Sequence, residues 1–200
     1  MTTLFKLTNS IFGAQGQSTQ LVERFANAWL QKNPGAQVIA RDTGINPPPH
    51  LEAPAFLASR VPAADRTPGQ NKLLEYSDSL VEELRQADVI VIGLPMYNFG
   101  ISSGMKAWFD HIARVGVTFM YTPNGPRGLL PAGKKCYIVA TRGGIYAGTN
   151  RDTQTGHVTN FLSLIGITDI QFIYAEGLNI PELKGPAIEG AGEKVAQWLG

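Results

Sequence analysis

Short runs of hydrophobic residues, bounded by glycine, proline or polar residues, recur along the chain and predict strands. The clearest run is Val89–Ile92, in which every residue is apolar and β-branched. An unbroken run of this kind is typical of a strand that is buried on both faces of a parallel sheet. The other predicted strands are Leu4–Leu7, Gln37–Ala40, Cys136–Ala140 and Ile170–Ala175.

Between these runs, apolar residues recur every three or four positions and predict amphipathic helices. Leu21, Phe25 and Trp29 share one face of the first helix, and Ser102 or Ser103 is placed to cap the helix after the central strand. The other predicted helices are Ala53–Ser59, Leu73–Leu84, Val158–Ile165 and Glu189–Leu199. An extended segment at Val117–Thr122 and a turn at Pro123–Pro126 are also predicted.

Strands that alternate with helices favour an α/β fold, in which a parallel sheet carries helices on both faces with right-handed crossovers. Five strands suit the flavodoxin-like order 2-1-3-4-5, and a length of 200 residues suits one domain over residues 1–200. In this order the ligand crevice lies outside the carboxyl ends of the first and third strands. The loops Asn9–Ser18 and Met96–Phe99 follow those ends, so we expect them to meet.

The loop Asn9–Ser18 combines glycines, hydroxyls and amides, and it leads directly into the first helix. Free amides at a helix N-terminus attract anions, and Gly13 and Gly16 allow the backbone to approach a phosphate closely. A phosphomonoester suits the loop better than a pyrophosphate, because no G-x-G-x-x-G motif follows the first strand. The residues alone leave a second interpretation open, in which Ser18 merely caps the helix and the glycines serve the turn.

Two further loops follow predicted strands and carry candidate ligand contacts. Tyr97 and Phe99 flank Asn98 between a proline and a glycine, which suits a flat heteroaromatic ligand, although aromatic pairs are more often part of a core. After the fourth strand, the Arg142 guanidinium and the amides of Gly143–Gly144 are placed to polarise the carbonyl edge of a flavin. An ordinary glycine turn with a solvated arginine is the alternative for that loop.

Composition and charge exclude several classes of function. A net charge of +1, with no long basic or acidic run, gives no basis for binding nucleic acid or an anionic membrane. No apolar run approaches the roughly 20 residues of a membrane span, and the N-terminal residues lack the pattern of a signal peptide. Cys136 is the only cysteine, so an intrachain disulfide is impossible, and we expect a reducing, cytoplasmic location.

The sequence lacks the usual patterns of a metal site, a protein nucleophile or a triphosphate-binding loop. Gly128–Lys134 matches G-x-x-x-x-G-K, but Lys135 replaces the required serine or threonine and a strand follows instead of a helix. His50, His111 and His157 have no partner at metal-ligand spacing, and we interpret His111 as a surface or subunit-contact residue. These observations favour a bound cofactor as the group that carries the chemistry.

Several longer motifs are spread over nearly the whole chain. They are PMYNF at 95–99, FDHIARVGVTF at 109–119, YT at 121–122, NGP at 124–126, RGG at 142–144 and FLSLIGITDI at 161–170. Together they resemble the FMN-dependent NADH-azoreductases, also called FMN-dependent NADH:quinone oxidoreductases. The FMN contacts that the resemblance implies are Ser10, Gly16, Gln17, Ser18, Met96, Tyr97, Asn98, Phe99, Thr141, Arg142, Gly143 and Gly144. Gly16 and Thr141 stand where the resemblance leads us to expect serine.

The resemblance further implies a homodimer in which NADH, with NADPH as an alternative, reduces quinones and azo compounds through the flavin N5 in two half-reactions. No protein residue then acts as the catalyst, and Phe119, Tyr121 and Phe56 border the substrate site. Two alternatives keep the fold: a one-electron carrier, disfavoured by the near-neutral charge and the proline-rich segment Asp42–Gly69, and a module without flavin. A phosphoryl-accepting receiver domain is disfavoured because acidic residues do not cluster after the strands.

Overall fold

The computed structural model describes residues 2–198 and contains a five-stranded sheet in which every strand pair is parallel. The strands are β1 (Thr3–Thr8), β2 (Gln37–Asp42), β3 (Val89–Pro95), β4 (Phe119–Thr122), β5 (Gly125–Gly128), β6 (Lys135–Thr141) and β7 (Asp169–Ala175). The helices are α1 (Gln17–Lys32), α2 (Ala53–Ser59), α3 (Pro68–Gln86), α4 (Ser103–Ile112), α5 (Thr153–Leu164) and α6 (Pro181–Trp198).

The strand order of the sheet is β2-β1-β3-β6-β7. The predicted order 2-1-3-4-5 did not count β4 and β5, which form a separate antiparallel hairpin. The turn predicted at Pro123–Pro126 is shorter in the structure, because Thr122 already pairs with Gly125 across the hairpin. The fourth and fifth strands of the sheet are therefore β6 and β7.

Helices cover both faces of the sheet, as the alternating pattern predicts. Successive side chains of a strand point to opposite faces, and the central strand β3 shows this directly. Ile90 and Ile92 pack in a cluster with α3, α4 and α5, whereas Val91 packs in a second cluster with α1 and α6. All three side chains are fully buried, which explains why both faces of this strand are apolar.

Three helices begin earlier than the hydrophobic pattern predicts. Helix α3 starts at Pro68, after the capping residue Thr67. Helix α5 starts at Thr153 because the Asp152 carboxylate accepts a hydrogen bond from the Thr155 amide at 3.0 Å and caps the helix. Helix α6 starts at Pro181, a residue that suits the first turn because its missing N–H would have no helical partner there. Leu199, the predicted end of the last helix, lies outside the described residues.

The proline-rich segment between β2 and α3 includes α2, whose predicted bounds agree with the structure. Helix α2 packs on α3, and the Nε2 atom of His111 donates a hydrogen bond to the Pro49 carbonyl over 2.9 Å. His111 is buried, so its interpretation as a surface residue is wrong for the single chain. Within residues 2–198, no helix has both the length and the apolar character that a bilayer crossing requires.

Candidate functional site

The loops after β1 and β3 meet at one edge of the sheet, and the segments after β6 and β7 join them there. Together they line a crevice of about 330 Å³. A larger groove of about 560 Å³ runs along α1, but nearly all of its lining comes from that one helix. Ligand sites in open parallel sheets form where several strand ends converge, so we identify the crevice as the candidate site.

The predicted contacts divide between this crevice and a hollow beside it. Those that line the crevice are Ser10, Gly16, Gln17, Ser18, Met96, Tyr97, Thr141, Arg142 and Gly143. Those that line the adjoining hollow are Met96, Asn98, Phe99, Gly143 and Gly144. All of the predicted contacts therefore lie at the same edge of the sheet.

The N-terminus of α1 opens into the crevice without a side-chain cap. Its N-cap residue is Gly16, so the interpretation of Ser18 as the cap is wrong. The amides of the first helical turn have no acceptor within the helix. Ser18 Oγ is buried without a hydrogen-bond partner in the described part of the chain. Free amides beside an unpaired buried hydroxyl fit an oxyanion such as a phosphate.

Ser10 connects the two loops at the centre of the crevice. A Cβ atom built on Gly16 would lie 2.2 Å from Ser10 Oγ, so a serine at position 16 would displace Ser10. The hydroxyl oxygens of Ser10 and Tyr97 lie 3.3 Å apart, and the Ile11 amide donates to the Tyr97 hydroxyl at 3.1 Å. The clash between Ser10 and a Cβ atom at position 16 explains why glycine stands where the resemblance suggested serine.

Asn98 and Phe99 form a tight turn that holds their side chains at the surface. Tyr97 and Gly100 close the turn with two backbone hydrogen bonds of 3.0 and 2.8 Å. Asn98 and Phe99 have φ angles of 49° and 62°, a region that asparagine tolerates but that strains a bulky side chain. Phe99 is exposed, and its ring meets that of Tyr146 edge to face at 5.5 Å. The aromatic side chain of Phe99 is therefore a surface group and not part of the core.

Gln154 holds this turn in place, and the sequence reasoning missed it. It is fully buried on α5, and its Nε2 atom donates to the carbonyl oxygens of Pro95 at 3.0 Å and Gly100 at 2.9 Å. The hydrophobic pattern predicts a helix that begins only at Val158, so the helical periodicity gives no indication of Gln154. The usable signal was a glutamine two residues after the capping Asp152.

The Arg142 guanidinium is buried among protein partners at the edge of the crevice. Its side chain has no exposed surface and forms ion pairs with Asp152 at 2.8 Å and Glu176 at 3.1 Å. It also donates to Thr155 Oγ1 at 3.1 Å and lies over the Tyr174 ring. These partners engage the two terminal nitrogens, whereas Nε is buried without a hydrogen-bond partner in the described part of the chain. The solvated-arginine alternative is therefore wrong, and the flavin-polarising interpretation stays a prediction.

The two carboxylates around Arg142 fix the loop that the predicted glycines belong to. Glu176 Oε1 accepts hydrogen bonds from the amides of Tyr146 and Ala147, each at 2.9 Å. Burial raises the pKa of Asp152, but hydrogen bonds from Arg142 and Thr155 outweigh it and hold the pKa below its usual value. This loop therefore presents the backbone of Gly143 and its neighbours to the crevice. The Glu176 carboxylate holds the following residues, Tyr146 and Ala147, through their amides.

The predicted substrate residues do not line the crevice of their own chain. Phe119 is buried and meets the Tyr121 ring edge to face at 5.5 Å, while Tyr121 and Phe56 are exposed. None of the three belongs to the lining of the crevice or the hollow. Residues 2–198 contain no cluster of three His, Cys, Asp or Glu side chains able to hold a metal ion.

Comparison with known proteins agrees with this architecture. A family model described as a flavodoxin-like fold matches residues 2–199. The chain is 47% identical over 199 residues to the FMN-dependent NADH:quinone oxidoreductase of Cellvibrio japonicus (strain Ueda107), and the match covers 100% of this chain and 99% of that protein. It is 48% identical over 197 residues to the FMN-dependent NADH:quinone oxidoreductase 6 of Burkholderia lata, with 98% and 99% covered.

A solved structure has the same fold over the whole chain. The azoreductase from Bacillus anthracis str. Sterne superposes with a TM-score of 0.89 at 25% sequence identity, and the match covers 100% of this chain and 99% of that one. The names of these relatives agree with the family that the sequence motifs resemble, and the solved structure agrees in fold. The chain therefore belongs to the family of FMN-dependent NADH:quinone oxidoreductases, which have a flavodoxin-like fold.

Proposed function

We propose that this oxidoreductase binds FMN in the crevice and transfers electrons from NADH, or from NADPH, to quinones and aromatic azo compounds. One observation carries the proposal: the uncapped N-terminus of α1 and the exposed turn at Asn98 and Phe99 lie at the same sheet edge. The first suits a phosphate and the second suits a flat ring. The names of the relatives support the same cofactor and electron donor.

Residues at the two ends of the site would bind different parts of the cofactor. The amides of Gln17 and Ser18, with the hydroxyls of Ser18 and Ser10, would hold the phosphate. The turn Met96–Phe99 and the backbone of Gly143–Gly144 would hold the isoalloxazine ring. Asn98, at the exposed tip of the turn, would offer its amide to the ring edge.

The chemistry of the reaction belongs to the cofactor. When held by the turn Met96–Phe99 and the backbone of Gly143–Gly144, FMN would supply two-electron hydride chemistry at N5 between NAD(P)H and the acceptor. No His, Asp, Glu or Cys is among the described residues that line the crevice. The protein binds and orients the reactants, and the shared surface favours flat, electron-poor acceptors.

A homodimer would complete the substrate site. Several large apolar side chains are exposed on one chain, among them Phe12, Phe56, Phe99, Tyr121 and Ile145. Groups of exposed apolar side chains are typical of surfaces that a partner covers. In a pair of chains, Phe56 and Tyr121 would border the crevice of the other copy. Light scattering should give twice the chain mass of 21.6 kDa, and a monomer at micromolar concentration would contradict this part of the proposal.

One set of measurements tests the proposed activity. The purified protein should quench FMN fluorescence on binding, lose its visible flavin absorbance when NADH is added under nitrogen, and regain it with a small quinone. Steady-state oxidation of NADH by the quinone distinguishes an enzyme from a one-electron carrier. Failure to take up FMN would favour the alternative of a module without flavin.

A further inference from the structure

The groups around the α1 end of the crevice are nearly all uncharged. The donors there are backbone amides and the hydroxyls of Ser10 and Ser18. A phosphomonoester carries a charge of about −1.5 to −2 at neutral pH. Arg142 lies nearby, but Asp152 and Glu176 already neutralise its guanidinium. A cation near the α1 end would therefore add a charged contact to the amides and hydroxyls that can hold a phosphate there.

Lys184 is a cation in the lining of this crevice. It is an exposed residue in the first turn of α6, and it lines the same crevice as Gly16, Gln17 and Ser18. Within residues 2–198 its ammonium group forms no ion pair with a protein carboxylate. No Asp or Glu side chain in the described chain lines this crevice either. The charge of Lys184 is thus free for a ligand.

The start of α6 is held beside the crevice by backbone contacts. The Leu178 amide donates to the Arg142 carbonyl at 3.1 Å, and the Asn179 amide donates to the Gly143 carbonyl at 3.0 Å. These bonds join the segment after β7 to the loop after β6. The backbone that carries Lys184 is therefore held beside the crevice, whereas its long side chain is flexible enough to adjust its ammonium group to a phosphate.

We propose that Lys184 binds the FMN phosphate, offsets part of its charge and makes the crevice more selective for phosphorylated flavin. This inference rests on the proposed FMN binding. A charge-assisted hydrogen bond from an ammonium group to a phosphate oxygen is stronger than one between neutral groups. Riboflavin, which lacks the phosphate, gains nothing from Lys184.

Fluorescence titration of the full chain with FMN and with riboflavin tests the proposal. The variant Lys184→Gln should bind FMN about tenfold more weakly, while its affinity for riboflavin stays unchanged. Its FMN affinity should also depend less on salt, because a screened charge pair has been removed. Lys184→Arg should keep FMN binding. Lys194→Gln is the matched control, since Lys194 is exposed on the same helix but does not line the crevice.

Each other outcome overturns a defined part of the reasoning. An unchanged FMN affinity in Lys184→Gln would overturn the role of Lys184 and leave FMN binding intact. An equal loss of FMN and riboflavin affinity would show that Lys184 acts through the structure and not through the phosphate. A wild-type chain that binds neither flavin would overturn the proposed function, and this inference with it.

Discussion

Replacing Arg142 by methionine tests whether its guanidinium supports the fold or contacts a ligand. The side chain has no exposed surface, and its terminal nitrogens lie 2.8 Å from Asp152 Oδ1 and 3.1 Å from Glu176 Oε1. Methionine is nearly as long but carries no charge. The variant would fill most of the space and leave two mostly buried carboxylates without their counter-ion.

The expected cost follows from that loss of charge. Removing one partner of a buried ion pair costs about 3–5 kcal/mol. We expect the lower end, because Glu176 keeps two backbone amides and Asp152 keeps the Thr155 amide. A chain of 200 residues has an unfolding entropy of about 0.4 kcal/mol/K, so a loss of about 3 kcal/mol lowers Tm by about 7 °C.

Thermal unfolding followed by circular dichroism, without flavin, measures this shift. Lys106→Met is the matched control, because it removes a cation from the exposed pair with Asp110. Such a pair contributes about 0.5 kcal/mol or less, so its Tm should fall by about 1 °C. Changing Asp152 and Glu176 to their amides in the Arg142→Met background should restore part of the stability, since no unpaired charge then remains.

An unchanged Tm in Arg142→Met would refute the reasoning. If FMN affinity fell at the same time, the guanidinium would contact the ligand, as the sequence alone suggested. If the triple variant were less stable than the single one, the cost would not arise from unpaired carboxylates. Each Tm is measured without flavin bound, so ligand stabilisation does not enter the comparison of Tm values.

Three further predictions follow from single residues. Burial raises the pKa of the Cys136 thiol, so a thiol reagent should modify it only after urea unfolds the chain, and rapid labelling of the native protein would contradict this. The lowered pKa of Asp152 contributes stability that is present above its unfolded pKa of about 3.9 and is lost as pH falls through its folded pKa. Asp152→Asn should therefore flatten the loss of stability in acid, measured by urea unfolding between about pH 5 and 2. Asn98→Ala should weaken FMN binding, and Asn98→Gly, which keeps the positive φ of 49° without the amide, should weaken it equally; unchanged affinity in both would remove Asn98 from the site.

The sequence predicts the sheet and the meeting of the two loops because both depend on local patterns. Apolar runs mark the strands. The carboxyl ends of parallel strands lie at one edge of the sheet, and this arrangement does not depend on the identity of the loop side chains. The hairpin of β4 and β5 was missed, because Gly125 and Pro126 are disfavoured in strands and hide the second strand. The hairpin is recognised only from the hydrogen-bonded pairing of β4 with β5 in the folded chain.

Local sequence patterns do not predict which partners a buried polar side chain contacts. Arg142 follows a strand and precedes two glycines, which fits a ligand loop. Its partners lie 10 and 34 residues away, at Asp152 and Glu176, and only the folded chain brings them together. The same holds for Gln154, whose acceptors are more than 50 residues earlier in the sequence.

The buried polar side chains explain how the strained turn at the crevice persists. Phe99 in the left-handed region costs roughly 1–3 kcal/mol, and such a conformation survives only where its surroundings fix it. Gln154 holds the two carbonyls that flank the turn, and Thr153 donates from its hydroxyl to the Phe99 carbonyl. Because α5 supplies both groups, and Asp152 caps α5 while it pairs with Arg142, the turn and the loop after β6 share one support. Loss of Arg142 should therefore loosen both sides of the proposed ring site at once, while the phosphate end at α1 keeps its free amides.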